Sequence, residues 1–316
     1  MLLRRITDFI LQGRVPAMAA AFVSVYVSLI IGGMFAAFVI GIAGIIIAAF
    51  VTLRKGAFEG VLVTAAATIP YFLIYASQYS GNNLLVYGVV VAVASNLLTF
   101  MFAVLLRQYE NWSLVLDLAI VVGVIIVGMV HFAYPDIQNW WATQMIASVN
   151  KTTESLSEIQ QQTSTQSYID AVADTVAAVK PFVTGFITLI VLLSALMPVL
   201  IARWWQAVMF NPGGLRKELY QVRLSYFVGF IFVGCMALAL FGNATAQDMM
   251  PVIIGSYCIA GLSLLHALLG ATELWWLWLA FIYLGLIFLS FLVAIIIAFI
   301  ALMDTSIDFR KRLHQY

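Results

Sequence analysis

The chain has 316 residues, 64% of them hydrophobic and only 9% charged, with a mean hydropathy of +1.05 and a formal net charge of +1. A soluble domain of this size cannot clothe its surface with so few charges, so the composition excludes a water-soluble protein and points to a polytopic membrane protein. The near-neutral balance gives no footing for nucleic acid, and Cys235 and Cys258, each inside an apolar run, read as packing residues rather than as a disulfide or metal pair.

The opening MLLRRITDFILQGR is basic and precedes apolar sequence, as a secretion signal does. The apolar stretch that follows runs from Val15 to Leu53, much too long for a signal core, and is expected to stay in the protein. As one helix it would measure about 58 Å at about 1.5 Å per residue, against a hydrocarbon core of about 30 Å. It is therefore expected to form two spans broken at Gly32-Gly33. Further apolar runs occupy 57–77, 83–106, 112–134, 180–202, 224–242, 249–270 and 275–303, nine in all. Helices are the expected element, because open strands would leave backbone groups unsatisfied in lipid. The fold class is thus an all-α polytopic helical membrane protein of about eight or nine transmembrane helices.

Lysine and arginine set the expected orientation. With the N-terminus in the cytoplasm, simple alternation puts Arg4, Arg5, Arg14, Arg54, Lys55, Arg107, Arg203, Arg216, Lys217 and Arg223 inside, ten of the fifteen basic residues. The connections SQYSGNN and GNATAQD then fall outside and carry no basic residue. Nine crossings would put the basic tail DTSIDFRKRLHQY outside, so eight full crossings with both ends cytoplasmic are expected, with a re-entrant or tilted element sought at GATEL.

Residues 135–179 are the one sizeable polar segment, expected outside. Asp136, Glu154, Glu158, Asp170 and Asp174 against Lys151 and the adjoining Lys180 leave it at −3. Met145, Val149, Thr152, Leu156 and Ile159, and then Ile169, Val172, Val176 and Val179, recur at helical steps. The polar QQQTSTQS between them reads as a turn, with Ser167 and Asp170 spaced as a capping box. A two-helix hairpin is expected, its second helix running on into the span from Pro181. The chain thus divides into an N-terminal membrane half of five spans (1–134), an external amphipathic hairpin (135–179) and a C-terminal membrane half (180–316). Tryptophans at Trp112, Trp140-Trp141, Trp204-Trp205 and Trp275-Trp276 sit near span ends, as an interfacial aromatic belt does.

Three polar stretches stand out against this background. LRKGAFEG follows the second run. FNPGGLRKELYQVRLSY lies between two spans: its Asn-Pro-Gly-Gly favours a turn, and Leu215, Leu219 and Val222 then step as one face of a short basic helix within 211–223. The chain closes on LMDTSIDFRKRL. In this order the three resemble the YybS-like family of uncharacterised bacterial membrane proteins, itself distantly similar to the substrate-binding S-components of energy-coupling-factor transporters. The resemblance covers essentially the whole chain. It implies a bacterial inner-membrane protein of solute-transporter-like fold, and only the more distant S-component likeness adds another membrane subunit as partner. The S-component likeness further implies a small-residue face on the first span for that subunit, which Ala17 and Ala21 match in spacing.

No Walker A, H-E-x-x-H, G-x-S-x-G or metal-spaced Cys/His set is present, so no enzyme, catalytic residue, metal or cofactor is expected. Ionisable and strongly polar groups at membrane depth are costly and often functional. On that ground Asn96, His131, His266 and Glu273 are candidates for solute contact, the last two because seven residues on one helix share a face. Asp117 and Glu59 read as interfacial carboxylates near basic residues, and His314 as a solvated tail residue. Arg216, Lys217 and Arg223 form a cytoplasmic surface for lipid headgroups, for a docking partner, or for the tail, whose Asp304 and Asp308 complement Arg216 or Arg223 and which also carries Arg310. Two readings of function follow: a solute-binding protein of S-component type, or a non-transporting membrane scaffold that holds partners at the hairpin and the basic helix.

Overall fold

The computed structural model describes residues 2–32, 41–78, 83–157, 165–270 and 272–313, and all regular structure among them is helical. In chain order the helices are α1 (Leu2–Leu11), α2 (Arg14–Ile31), α3 (Ile42–Lys55), α4 (Ala57–Gln78), α5 (Asn83–Tyr109), α6 (Trp112–Ala133), α7 (Ile137–Ser157), α8 (Thr165–Val179), α9 (Val183–Phe210), α10 (Gly214–Tyr220), α11 (Tyr226–Leu240), α12 (Ala244–Leu269), α13 (Trp275–Phe288), α14 (Ser290–Ile307) and α15 (Phe309–Leu313). Among the described residues seven segments are long and apolar enough to cross a bilayer: Arg14–Ile31, Ala57–Ala76, Gly88–Tyr109, Trp112–Ala133, Ala171–Phe210, Ala244–Leu269 and Ser290–Ile307. Two further apolar helices, Tyr226–Leu240 and Trp275–Phe288, are shorter. Large apolar side chains such as Phe132, Phe230, Phe241 and Phe288 stand outward, as hydrocarbon rather than water as solvent allows. This is an all-α polytopic membrane protein.

The chain forms two compact units, each joined from two stretches: residues 1–116 with 190–222, and residues 117–189 with 223–316. In the first unit α2 packs on α3 and α4, and α3 also packs on α4 and α5. Its interior holds Ala17, Ala21 and Val25 of α2, Phe50 and Val51 of α3, and Phe102 and Leu106 of α5. Polar glue joins these spans: Ser95 Oγ lies 2.8 Å from Ser194 Oγ, and Thr99 Oγ1 donates to the Ala195 carbonyl at 3.1 Å. The basic N-terminus, read from sequence only as a charged leader to the first span, is itself the helix α1. Trp205 Nε1 donates to Thr7 Oγ1 of α1 (2.8 Å), and the Trp205 ring stacks on Phe50 at 4.7 Å.

The expected break in the first long apolar stretch is where α2 ends. Gly32 takes the left-handed φ of 69° that glycine tolerates, and its N–H closes on the Ser28 carbonyl. Several basic residues gather at the ends of these helices. Arg107 Nη1 donates to the Leu53 carbonyl (2.7 Å), Lys55 Nζ to the Leu11 carbonyl (3.0 Å), and Arg14 pairs with Glu59 (2.7 Å). The C-terminal ends of α3 and α5 therefore lie together.

In the second unit α12 is the central element, contacting α11, α13, α14 and α15. Glycine lets neighbours close on it: a Cβ on Gly261 would sit 2.6 Å from the Ile297 carbonyl oxygen, and one on Gly255 would meet Leu189 at the same distance. The expected hairpin is present as α7 and α8, which contact each other, and α8 continues through a 3-10 turn at Lys180–Phe182, with Pro181 at its start, into α9. The side chains of the Ser167/Asp170 capping pair lie outside the described residues.

Two expectations are corrected. The apolar run 275–303 is two helices rather than one, with Leu289 (φ −114°, ψ 13°) ending α13 and opening α14. Gly285 leaves the space there that Val293 approaches from the next helix. The basic surface helix is shorter than 211–223: α10 ends at Tyr220, and Val222 is buried beyond its end.

Candidate functional site

The most distinctive polar group of the second unit is built on α6, α9 and α12. Asn243 caps α12, its Oδ1 accepting from the Ala246 N–H at 2.9 Å, so the helix starts at Ala244 and carries Asp248 inside it. Asp248 is fully buried. Its Oδ2 accepts from His131 Nε2 at 2.8 Å, near the end of α6, and its Oδ1 accepts from the Gly185 N–H at 2.7 Å, in the first turn of α9. A carboxylate at that first turn also sits favourably in the helix dipole. A Cβ on Gly185 would collide with the Asp248 carbonyl oxygen, so only glycine allows α9 this close to α12. Gln138 of α7 adds a tie to the Ala244 carbonyl (3.1 Å), and Trp141 Nε1 donates to Thr184 Oγ1 (3.1 Å). Three spans are thus pinned together by buried, paired polar groups, and the hairpin is tied to them by more exposed ones.

Above this layer the hairpin carries an open groove of about 500 Å³, lined by Trp141, Gln144, Met145, Ser148, Val149, Val172, Thr175 and Val176. The apolar positions that repeat along the two hairpin sequences therefore face one another across it. Its polar groups are few: Gln144, Ser148 and Thr175.

The sequence candidates distribute as follows. His131 belongs to the buried pair just described. Asn96 is buried in the first unit, its Nδ2 donating to Thr68 Oγ1 at 3.1 Å. His266 is half-buried, its Nδ1 2.8 Å from the Leu262 carbonyl oxygen of its own helix, with Tyr283 edge-on to its ring. Glu273 is exposed in the turn before α13. Because α12 ends at Leu269, the seven-residue spacing of His266 and Glu273 does not put them on one helical face. Ala17 and Ala21 are buried inside the first unit, where a Cβ on Gly44 of α3 would sit 2.7 Å from the Ala21 carbonyl oxygen; their small size is used within this chain.

In the first unit Arg216 and Lys217 are exposed on α10, and Arg216 Nε donates to Tyr220 Oη at 2.9 Å. Glu218 of the same helix takes a two-pronged contact from Arg203 (2.6 and 3.0 Å) and the Trp112 Nε1–H (3.3 Å). In the second unit Arg223 meets the tail as its charge suggested. It donates to the Asp304 carbonyl (3.0 Å), the Thr305 carbonyl (2.7 Å) and Asp308 Oδ2 (2.8 Å), closing the C-terminal end of α14. Arg310 Nη1 donates to Asp304 Oδ2 at 3.1 Å. Burial works against the Asp308 carboxylate, but hydrogen bonds from Lys311 and the charges of Arg223 and Lys311 hold its pKa below the usual range. Asp117 accepts from the Ser225 N–H (3.2 Å) at the start of α11.

Asp248 was missed in the sequence because GNATAQD reads as a loop. The usable signal was Asn243, a strong N-cap residue directly before ATAQDMM. Among the described residues no three His, Cys, Asp or Glu side chains converge as a metal site. No protein-family model matches the chain, and no curated protein and no solved structure matches it.

Proposed function

We propose that this is a multi-pass protein of the bacterial inner membrane that binds a small apolar solute in the hairpin groove, in the manner of an S-component. The N-terminus faces the cytoplasm and the hairpin faces outward. The observation that carries this reading is the groove itself. It is an open surface groove rather than an enclosed cavity, and its mainly apolar lining with three polar side chains is the usual composition of small-molecule sites. The resemblance to the YybS-like family supports it, as does the clustering of Arg14, Lys55 and Arg107 with the ends of the first spans. Asn96 and His131 serve here as interhelical ties rather than as solute contacts, since their side chains already bond Thr68 and Asp248.

The test is photolabelling of the full-length protein in lipid nanodiscs with a small diazirine-bearing apolar alcohol. Adducts are expected on Met145, Val149, Val172 and Val176, and Val176→Trp, which fills the groove, should remove them while lipid-facing adducts persist. Labelling confined to lipid-facing helices would sink the reading. The second reading, a scaffold that holds a partner without transport, is favoured by one observation: the groove is open rather than enclosed. A groove that takes no probe, in a protein whose assembly with a membrane partner is lost on Val176→Asp, would support it.

A further inference from the structure

The tail of the second unit contains a cation whose Nε/Nη2 edge has no hydrogen-bond partner among the described residues. Arg310 follows the end of the span Ser290–Ile307 by three residues, and its side chain is only 14% exposed. Nη1 is engaged by Asp304. Nε and Nη2 are buried and have no hydrogen-bond partner among the described residues. The carboxylates nearby are already committed. Asp304 Oδ1 accepts from the Phe309 N–H and Oδ2 from Arg310; Asp308 Oδ2 takes Arg223 and Lys311, and Oδ1 the Lys311 N–H. Arg223, Arg310 and Lys311 against Asp304 and Asp308 leave the cluster with one positive charge in excess.

An unpaired donor edge of a guanidinium away from water is costly, and more so than a neutral group. The unpaired atoms matter as well as their number. Nε and Nη2 form one side of the planar fork, the side that matches two oxygens of a tetrahedral or planar oxyanion. Arg310 lies three residues past the end of the span, beyond the turn at Asp308, and so at the margin of the hydrocarbon where headgroups lie. We propose that this edge of Arg310 is a bidentate site for the phosphate oxyanion of an anionic lipid headgroup. Because the edge is closed off in this structure, the headgroup reaches it as the five-residue α15 shifts, so lipid binding and tail movement are one event. The chemistry is shared with free phosphate, but the depth of the site and the run of Arg310, Lys311 and Arg312 beside a span favour the lipid.

The experiment uses the full-length protein purified in detergent. Native mass spectrometry measures retention of phosphatidylglycerol, phosphatidylcholine and inorganic phosphate, and hydrogen exchange reads residues 305–313. Wild type is expected to keep phosphatidylglycerol about tenfold more tightly than phosphatidylcholine, with exchange in 305–313 changed on binding. Arg310→Lys, which keeps the charge but loses the fork, should abolish that preference, whereas Lys311→Gln should leave most of it. Tight retention of inorganic phosphate with no preference among lipids would assign the site to a soluble anion and overturn the lipid assignment. Equal retention of both lipids by wild type, or an unchanged preference in Arg310→Lys, would overturn the site. The wild-type measurement decides even where the variant fails to fold.

Discussion

His131 Nε2 and Asp248 Oδ2 lie 2.8 Å apart, both side chains almost wholly buried, and the other oxygen of the same carboxylate holds the Gly185 N–H. Each partner therefore satisfies a group that would otherwise be stranded. Replacing His131 with Phe leaves a buried carboxylate with one ligand and is expected to cost about 3–5 kcal/mol. Asp248→Asn keeps the size and one acceptor and is expected to cost less, about 1–3 kcal/mol. Thermal unfolding of the purified variants, followed by circular dichroism, ranks the two; equal midpoints would contradict the pairing.

Gly185 tests the closeness of α9 and α12. Its Cβ position is occupied by the Asp248 carbonyl, whereas Gly234 of α11 has open space around its own. Gly185→Ala is expected to destabilise by about 1–3 kcal/mol through overpacking. Gly234→Ala is expected to be neutral or mildly stabilising, by up to about 1 kcal/mol. The same unfolding assay compares them.

Arg223 closes the end of α14 with three hydrogen bonds. Its replacement by Ala is expected to remove about 2 kcal/mol of local stability, a roughly thirtyfold rise in opening of the tail, measured as hydrogen exchange over 304–311.

The tail also responds to acid. The Asp308 pKa is lowered in the fold, so its contribution is fully present above the ordinary carboxylate value of about 3.9 and fades as pH falls through the lower folded value. Tail opening, read as exchange divided by the intrinsic amide rate at each pH, should therefore be flat from neutral pH down to about pH 4 and rise below it. Asp308→Asn should be fast throughout and lack that step.

The meeting of Arg107 with the Leu53 carbonyl brings residues 54 and 107 together at the ends of α3 and α5, so the proposed orientation puts both at one membrane face. Single cysteines at Arg54 and Arg107, in a chain whose Cys235 and Cys258 are replaced by Ala, should be labelled from the same side of sealed vesicles by a membrane-impermeant maleimide. Labelling from opposite sides would remove the basis of the proposed orientation.

What was legible in the sequence follows from which interactions are local. Apolar runs, the Gly32 break and the two hairpin faces are set by neighbours in the chain, and Met145, Val149, Val172 and Val176 do line one groove. Charge complementarity carried one long-range pairing, Arg223 with Asp308. The break at Leu289 was hidden, because an unbroken apolar run carries no periodicity to interrupt and Gly285 matters only through Val293. Asp248 was hidden for the opposite reason: a single acid in a polar-looking segment acquires meaning only from His131 and Gly185, which are remote in sequence. The division into two membrane halves around a hairpin is linear. The compact units instead interleave residues 190–222 with the N-terminal stretch and 117–189 with the C-terminal one.

The separation of 117 positions between His131 and Asp248 also orders events during synthesis. The imidazole emerges from the ribosome and enters the bilayer long before its carboxylate exists, so it must wait without that partner while α7 to α11 are made. A position two residues from the end of α6 lets it wait in contact with water rather than with acyl chains. Insertion of α12 is then the step that withdraws the imidazole from solvent, and a chain truncated before Asp248 should leave its nascent bundle open to quality-control proteolysis at that margin.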